Sequence, residues 1–540
     1  MKLEKVSIYA YACVLLLALL WVYFPGLGVA YDFHDSFYSY VDTEGKCSLH
    51  PQWNYFFYMG RPLLALINCV AVTDPIDTLQ DTVFIRLQSF FVLSLSALAV
   101  MLLIQCIGYS LVLALAVALG LASLPSMQLF IYMTGASGVL FSIPFVLLAV
   151  FFFVRWVEFC VLNSNSKYKF KSILYLFLVS VFLMFSSLIY QQMSSLFFVF
   201  VCLLCLSPKY SLTSRNIFYI LLFSIAAYGI HGIVYLIAHN HIILPYAMHL
   251  MGLEQLQGQD YDVVVSYDFT GKISFFFTDL LQKGLHLWSI DYAHPMIQIS
   301  AWLLPLSILF WCMAIVNRSI SVISNARLIQ VLNAGLVTLV VISLSLILTN
   351  APNLVADFSS VTVRHLIAFQ ALIIAIICIG LTQLSEIKFI KKHAAGIMVC
   401  LVFAFISTGL MQARQNFDIN MSGLARQEIT YIRDAIAPRM NALPERIVVI
   451  QPHVQSLALS DHLPDIHDES GRLTTHYHQD VRWIVLAAFL DLGGERNQLP
   501  HVEVLPCCSV IPVFGAKDLV IDMRIFAENI LQKRIGFLKG

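Results

Sequence analysis

The chain is 540 residues long, 59% hydrophobic, only 12% charged and formally neutral. A soluble domain carries roughly 25% charged residues, so this composition cannot cover a water-facing surface, and the apolar excess must face lipid. Neutrality also excludes the basic footprint of a nucleic-acid binder.

The first segment, MKLEKVSIYAYACVLLLALLWVYFPGLGVA, begins basic and turns apolar. Its apolar run is too long for a secretion signal and ends in Phe-Pro-Gly, not in a small-x-small cleavage site. That predicts a retained first helix over 6–29, with Lys2 and Lys5 in the cytoplasm. Further apolar runs occupy 83–107, 109–123, 138–158, 172–190, 194–207, 216–237, 295–316, 329–349, 366–384 and 394–412. Because about 20 apolar residues cross ~30 Å of hydrocarbon, the pattern predicts eleven transmembrane helices.

Charge orients them, since cytoplasmic loops collect Lys and Arg. The inner loops would receive Arg155, Lys167, Lys169, Lys171, Lys209, Arg215, Arg318, Arg327, Lys388, Lys391 and Lys392. The outer loops would receive only Lys46, Arg61, Arg86, Lys272, Lys283 and Arg364. The N-terminus is then cytoplasmic and the C-terminal segment outside. Three outer loops are expected, at 31–82, 238–294 and 350–365. Loop one contains RPLLALINCVAV, too short to span and suited to the interface.

From residue 413 the composition becomes that of a soluble domain. LARQEITYIRDAI, QDVRWIVLAAFL and IFAENILQKR read as helices, and RIVVIQP, VEVLP, VIPVF and DLVIDM as strands. The predicted fold class is therefore an all-α polytopic membrane bundle over 1–412 with a small extracytoplasmic α/β domain over 413–540. No internal repeat supports an inverted-repeat transporter. Most of the twelve cysteines, Cys69 among them, lie in apolar runs and read as packing residues. Cys47, Cys507 and Cys508 fall in non-membrane segments, where a bridge from Cys47 to either of the others is open.

The polar chemistry begins with YDFHDSFYSYV, directly after the first helix. A lone acid at such a boundary would simply mark the water interface. Asp32 and Asp35, with His34 between them and aromatic residues following, form a pair that can take a proton from a nucleophile or hold a divalent cation. Next comes WNYFFYMGRPL, where Arg61 sits between Gly60 and Pro62. A guanidinium at that level can grip a phosphate with two parallel hydrogen bonds, or it can snorkel towards headgroups.

An acidic pair after the first helix, then Trp53, then Gly60-Arg61-Pro62-Leu63, resembles the polytopic glucosyltransferases that decorate bacterial O-antigen, the Gtr type within the GT-C class. Tyr190-Gln191-Gln192 at the outer end of a helix and Arg364 in the last outer loop extend the similarity across roughly 400 residues. One departure stands out: the family commonly has adjacent acids, whereas two residues separate Asp32 from Asp35. The resemblance implies transfer of a hexose such as glucose from a polyprenyl-phosphate sugar to an acceptor glycan or glycolipid, outside a bacterial inner membrane. Asp35 or Asp32 would be the base of an inverting reaction, and Arg61 with Arg364 would neutralise the departing phosphate. Trp53, Tyr190, Gln191, His34 and Trp288 would hold sugar and acceptor. A lipid-borne donor enters from the bilayer, and no Gly-rich phosphate cradle occurs in the sequence.

Other polar residues have plainer readings. His231, inside AAYGIHGIVY, fits a neutral imidazole bonded to a neighbouring carbonyl; His239 and His241 in AHNHI are better placed to meet a substrate or metal. His453, Asp461, His462, Asp465, His467, Asp468, His476 and His478 are metal-ligand types, but their spacing suits a solvated loop. The competing functional class is a lipid or glycan transporter, which would place charge at mid-bilayer depth in several helices.

Overall fold

The structure is a computed structural model that describes residues 2–31, 56–57, 59–70, 78–162, 169–210, 212–251, 268–290, 296–320, 325–355, 363–383, 394–452, 473, 475, 478, 480–507 and 514–530. Asp32, His34, Asp35 and Trp53 lie outside the described residues. So does most of the acid- and histidine-rich stretch of the tail.

Six stretches are long and apolar enough to cross a membrane: Ser7–Leu27, Asp81–Ile107, Thr134–Phe159, Lys171–Ile189, Ser214–His249 and Gly396–Arg439. Leu111–Ala122 and Pro125–Tyr132 add a seventh if taken as one span, bent by 52°. Gln191–Cys205, Gln298–Met313, Gly335–Leu348 and Ile367–Gln383 are apolar helices of less than spanning length. The expected eleven spans thus become six or seven of full length among the described residues. Phe24, Phe91, Phe177, Phe218, Ile233 and Phe403 stand exposed on these helices. So many large apolar side chains are tolerable on an outer surface only where lipid replaces water, and the chain is an integral membrane protein.

The elements that matter below are α1 (Lys2–Leu27), α2 (Pro62–Asn68), α3 (Asp81–Ile107), α4 (Leu111–Ala122) and α5 (Pro125–Tyr132). They are followed by α6 (Lys169–Ile189), α7 (Ser214–Ala238), α8 (Ala351–Val355) and α9 (Ile367–Gln383). Local chemistry sets their ends. Gly108 closes α3 in the left-handed region at φ 112°, where a residue without Cβ is cheapest. Ser110 caps α4 by accepting from the Leu113 amide, and Thr213 caps α7 by accepting from that of Asn216. Pro62 and Pro125 open α2 and α5 at first-turn positions that need no amide donor.

The bundle core is α9, fully buried from Ile367 to Leu381, with α4 and the Leu196–Cys205 and Met296–Ile320 helices packed around it. α1 packs on α3 and α4 at one side. After α7 the helix does not stop as expected at residue 237; a π-turn over His239–Ile243 carries it into Leu244–Met251. Arg86, expected in an outer loop, lies in the second turn of α3 and is fully buried.

Past the Ala394–Gln415 helix a π-turn over Asn416–Gly423 leads into α10 (Leu424–Ile436). α10 packs on α11 (Val481–Asp491) beside a three-stranded sheet of β1 (Arg446–Ile450), β2 (His501–Leu505) and β3 (Asp518–Asp522). The order is β2-β1-β3, all parallel, with Arg446 opposite His501 and Asp518. Central β1 reads RIVVI, the continuous apolar run of a strand covered on both faces. At the sheet's leading edge, Arg446 bridges Glu503 at 2.5 Å and Asp518 at 2.7 Å. The Asp518 carboxyl is held below its usual range, chiefly by Arg446 and then by the Gly515 amide.

Cys69, expected to be a packing thiol, is disulfide-bonded. Cys507 is not disulfide-bonded. Cys47 and Cys508 lie outside the described residues.

Candidate functional site

Gly60 is the tightest point of the site. Its φ of +73° belongs to glycine, and a Cβ there would run into the Tyr235 hydroxyl and the His239 ring. The turn is closed by hydrogen bonds from the Gly60 amide to the Phe57 carbonyl (3.0 Å) and from the Arg61 amide to that of Phe56 (2.8 Å). Tyr235 of α7 donates its hydroxyl to the Gly60 carbonyl at 3.1 Å. Gly-Arg-Pro is thus a turn pressed onto α7, followed at once by a helix that proline can begin.

That turn sets the guanidinium of Arg61. Its Nε donates to Gln191 Oε1 at 3.3 Å, and its Cζ lies 4.8 Å above the centre of the Tyr190 ring. Gln191 answers with its Nε2, which donates to the Met59 carbonyl (3.2 Å) and the Tyr235 hydroxyl (2.5 Å). Tyr190 can offer its ring face because the chain is extended there, at φ −158° and ψ 112°, between the end of α6 and the next turn. Arg61, Tyr190 and Gln191 are therefore brought together, 129 residues apart in sequence between Arg61 and Tyr190. A cation on an aromatic face gains about 0.5–2 kcal/mol as it loses water.

The short helix α5 links this cation to the other expected residues. All eight of its residues are buried. Phe130 meets Tyr190 edge-on at 5.7 Å, and Tyr132 lies 5.4 Å from Tyr31. Tyr31 is the residue before Asp32. Its carbonyl accepts from Arg86 Nη2 and, at 2.9 Å, from the Thr82 hydroxyl. Arg86 Nη1 donates to the Val29 carbonyl at 2.6 Å, and its Cζ sits 3.5 Å from the Tyr31 ring centre. No carboxylate among the described residues lies within ion-pair distance of Arg86. Arg364 belongs to the 3₁₀ turn Val363–His365, half-buried, and that turn also packs against α5.

Trp288 is placed elsewhere. It has no exposed surface, its Nε1 donates to the Gly120 carbonyl at 3.1 Å, and its ring meets Phe405. It packs the core and has no face to give a sugar, a correction to the expected role. His239 and His241 lie within a π-turn of the long helix, not in a loop, and His239 stacks on Tyr235 at 6.0 Å. His231 Nε2 pairs with the Ser187 hydroxyl at 3.1 Å, inside the bundle.

A second polar chain starts one residue along from Gln191. Gln192 Nε2 donates to Asn353 Oδ1 of α8 at 3.0 Å, and Lys272 Nζ donates to the Asn353 carbonyl at 3.4 Å. Neither Asn353 nor Lys272 was expected at the site; an NAPN stretch at the end of an apolar run was the available signal. Among the described residues no group of three or more His, Cys, Asp or Glu side chains is arranged to hold a metal. The acid pair that could hold a divalent cation lies outside those residues.

No family model matches the sequence, and no curated protein matches it either. Among solved structures, the chain is similar to a crystal structure of the Archaeoglobus fulgidus oligosaccharyltransferase in complex with zinc and sulfate. The TM-score is 0.42 and the identity 12%, over 82% of this chain. The chain spans about 60% of the length of that protein.

Proposed function

We propose that the protein is a membrane glycosyltransferase that moves a hexose such as glucose from a polyprenyl-phosphate donor to a cell-surface glycan such as O-antigen. The observation that carries this reading is the fixing of one loop-one cation, Arg61, on Tyr190 and Gln191 at the end of a span. A guanidinium so held, beside a lipid-facing bundle, is suited to a phosphate that arrives on a lipid.

In the reaction, Asp35 or Asp32 takes the proton of the acceptor hydroxyl. The acceptor oxygen bonds to the anomeric carbon as the carbon–oxygen bond to phosphate breaks, which inverts that carbon. Polyprenyl phosphate leaves with the electron pair, and Arg61 with Arg364 stabilises the charge developing on it. Tyr190 and Gln191 act by holding Arg61. The reaction side is the outer face of a bacterial inner membrane, with the C-terminal α/β domain on the same side. The bridged Cys69, seven residues past Pro62, supports an oxidising outer compartment for this region.

The test uses membranes containing the full chain and a panel of polyprenyl-phosphate sugars, with transfer to lipid-linked glycan as the readout. Transfer from one donor, abolished by Asp35→Asn or Asp32→Asn at unchanged protein level, is the expected result. Full transfer by both variants overturns the base assignment. Movement of the lipid-linked sugar across the bilayer without a new glycosidic bond would instead make the protein a transporter.

A further inference from the structure

We infer that four cations at the end of the bundle opposite Arg61 form a binding surface for the headgroup of an anionic phospholipid. The inference needs only the membrane-spanning fold and is independent of the enzymatic reading above. Between Asp81 and Glu254 the sequence contains a single acid, Glu158. Arg155, Lys171, Lys209 and Arg215 all stand exposed near it. α6 leads from Lys171 to Tyr190, and α7 from Arg215 to Tyr235, so each helix carries the patch at one end and the Arg61 site at the other.

Glu158 draws the patch together. Its carboxylate meets Arg155 Nη1 at 3.1 Å and Lys209 Nζ at 3.5 Å, and accepts from the Tyr210 hydroxyl at 2.9 Å. Lys171 Nζ lies 6.0 Å from the ring centre of the adjoining Phe159. α7 packs on the π-turn Val157–Leu162 that carries Glu158, and Phe223, two turns past Arg215, meets Trp156 at 4.6 Å. Arg215 has no carboxylate within ion-pair distance among the described residues. One acid thus stands against four cations, and the surplus positive charge attracts an anion from outside the chain.

The surroundings of the cations decide what kind of anion fits. Arg155 Cζ lies 5.4 Å from the centre of the Phe151 ring, and Arg215 Cζ 5.5 Å from that of Tyr219. Both rings are exposed and one turn nearer the middle of their spans. Arg215 also donates Nε and Nη2 to the Tyr219 hydroxyl, at 3.3 and 3.2 Å. Ile173 and Phe177 stand exposed just past Lys171, and Phe218 and Leu222 just past Arg215. A guanidinium that sought only water would extend away from such surface. Here the charges sit where apolar, lipid-facing strips begin. A soluble anion or an acidic protein would use the charge and leave the strips bare. A phospholipid uses both, with its phosphate on the guanidinium forks and its chains along the exposed side chains.

The experiment measures, by native mass spectrometry, the lipid retained by the full chain purified in detergent. The probes are phosphatidylglycerol and phosphatidylethanolamine with identical acyl chains, and the competitors are inorganic phosphate and a polyglutamate peptide. The wild type should prefer phosphatidylglycerol at least about tenfold. Arg155→Gln and Arg215→Gln should each weaken its retention about fivefold, and the double variant should show no preference. Arg426→Gln, an exposed cation of α10 in the C-terminal domain, should change nothing. Equal retention of the two lipids by the wild type overturns the inference without any variant, and so does undiminished preference in the double variant. Displacement of phosphatidylglycerol by inorganic phosphate at equal concentration would make the patch a site for soluble anions. Capture of the peptide in place of lipid would make it a protein-binding surface, and either result overturns the inference. None of these readouts involves sugar transfer, so the enzymatic reading stands or falls separately.

Discussion

The rings of Tyr31 and Tyr132 lie 5.4 Å apart, joining the end of the first helix to the short helix that also carries Phe130 and so touches Tyr190. Through that contact, the residue preceding Asp32 and the aromatic shelf of Arg61 rest on one eight-residue element. A broken helix pair with a buried second half is stiff because every side chain on α5 is packed. It can thus hold Tyr31 and the aromatic shelf of Arg61 in fixed relation.

Arg86 is the element that secures Tyr31, so its removal is the first expectation. Its guanidinium supplies donors to the Val29 and Tyr31 carbonyls just past α1, where the chain leaves the helix and its carbonyls lose helical partners. Arg86→Leu keeps the burial and removes the donors. The Val29 carbonyl left bare costs about 1–3 kcal/mol, and the Tyr31 carbonyl keeps only its bond from the Thr82 hydroxyl, so thermal unfolding in detergent should move several degrees lower. Transfer should fall further than stability does, because the segment beginning at Asp32 loses its fixed start. An unchanged melting temperature would mean that water reaches these carbonyls.

Gly60→Ala should damage the same site from the other side. A side chain at φ +73° costs about 1–2 kcal/mol, and here the new methyl also meets the Tyr235 hydroxyl. Removing that hydroxyl in Tyr235→Phe costs roughly 1 kcal/mol through the lost bond to the Gly60 carbonyl. The two changes are in contact and should not add. The double variant should be more stable than the sum of the singles predicts, because the methyl then meets only the His239 ring and no longer the hydroxyl. Strict additivity in denaturation measurements would show that the turn does not press on α7.

Gly60-Arg61-Pro62 was legible because its grammar is local. Glycine permits the positive φ, proline starts the helix, and the arginine between them must point away from both. The pairing of Arg61 with Tyr190 and Gln191 was foreseen only as membership of one site, since nothing local to Tyr190 announces the helix break that frees its ring. α5 was missed altogether. A helix buried on every side has no apolar face to alternate with a polar one, so PSMQLFIY carries no periodic signal. Trp288 shows the converse limit. A tryptophan near a span end reads as an interface or ligand aromatic, yet Gly120 and Gly409 leave space for its ring in the core. The polar trio His239, Asn240 and His241 reads as a loop, but the π-turn keeps the backbone helical through it.

Arg61→Lys tests whether the fork geometry of the cation matters. Lysine keeps the charge and loses the planar donor set, so it can neither donate sideways to Gln191 nor lie flat on Tyr190 while facing a phosphate. Transfer should drop by about 10²-fold, in the range of removing one donor that stabilises developing charge. Tyr190→Leu, which removes the shelf but leaves the cation, should give a smaller loss, nearer tenfold. The two measurements are initial rates at saturating donor. Equal rates for Arg61→Lys and wild type would reduce Arg61 to an interfacial anchor.

His286 gives the bundle a pH dependence with a definite sign. Burial, followed by the positive charge of Lys283, lowers its pKa from 6.5 to about 4. Above pH 6.5 the imidazole is neutral in both folded and unfolded chains and adds no pH dependence. As the pH falls from 6.5 towards 4, the unfolded chain takes up a proton that the folded one refuses, so unfolding is favoured progressively. Below about 4 the folded state is protonated as well, and the loss levels off. His286→Asn removes the titration while keeping a polar side chain of similar size. Its melting temperature should decline less than that of the wild type between pH 7 and pH 5, and the two curves should run parallel above pH 7. Identical acid slopes would mean that His286 gains a proton without cost in the folded chain.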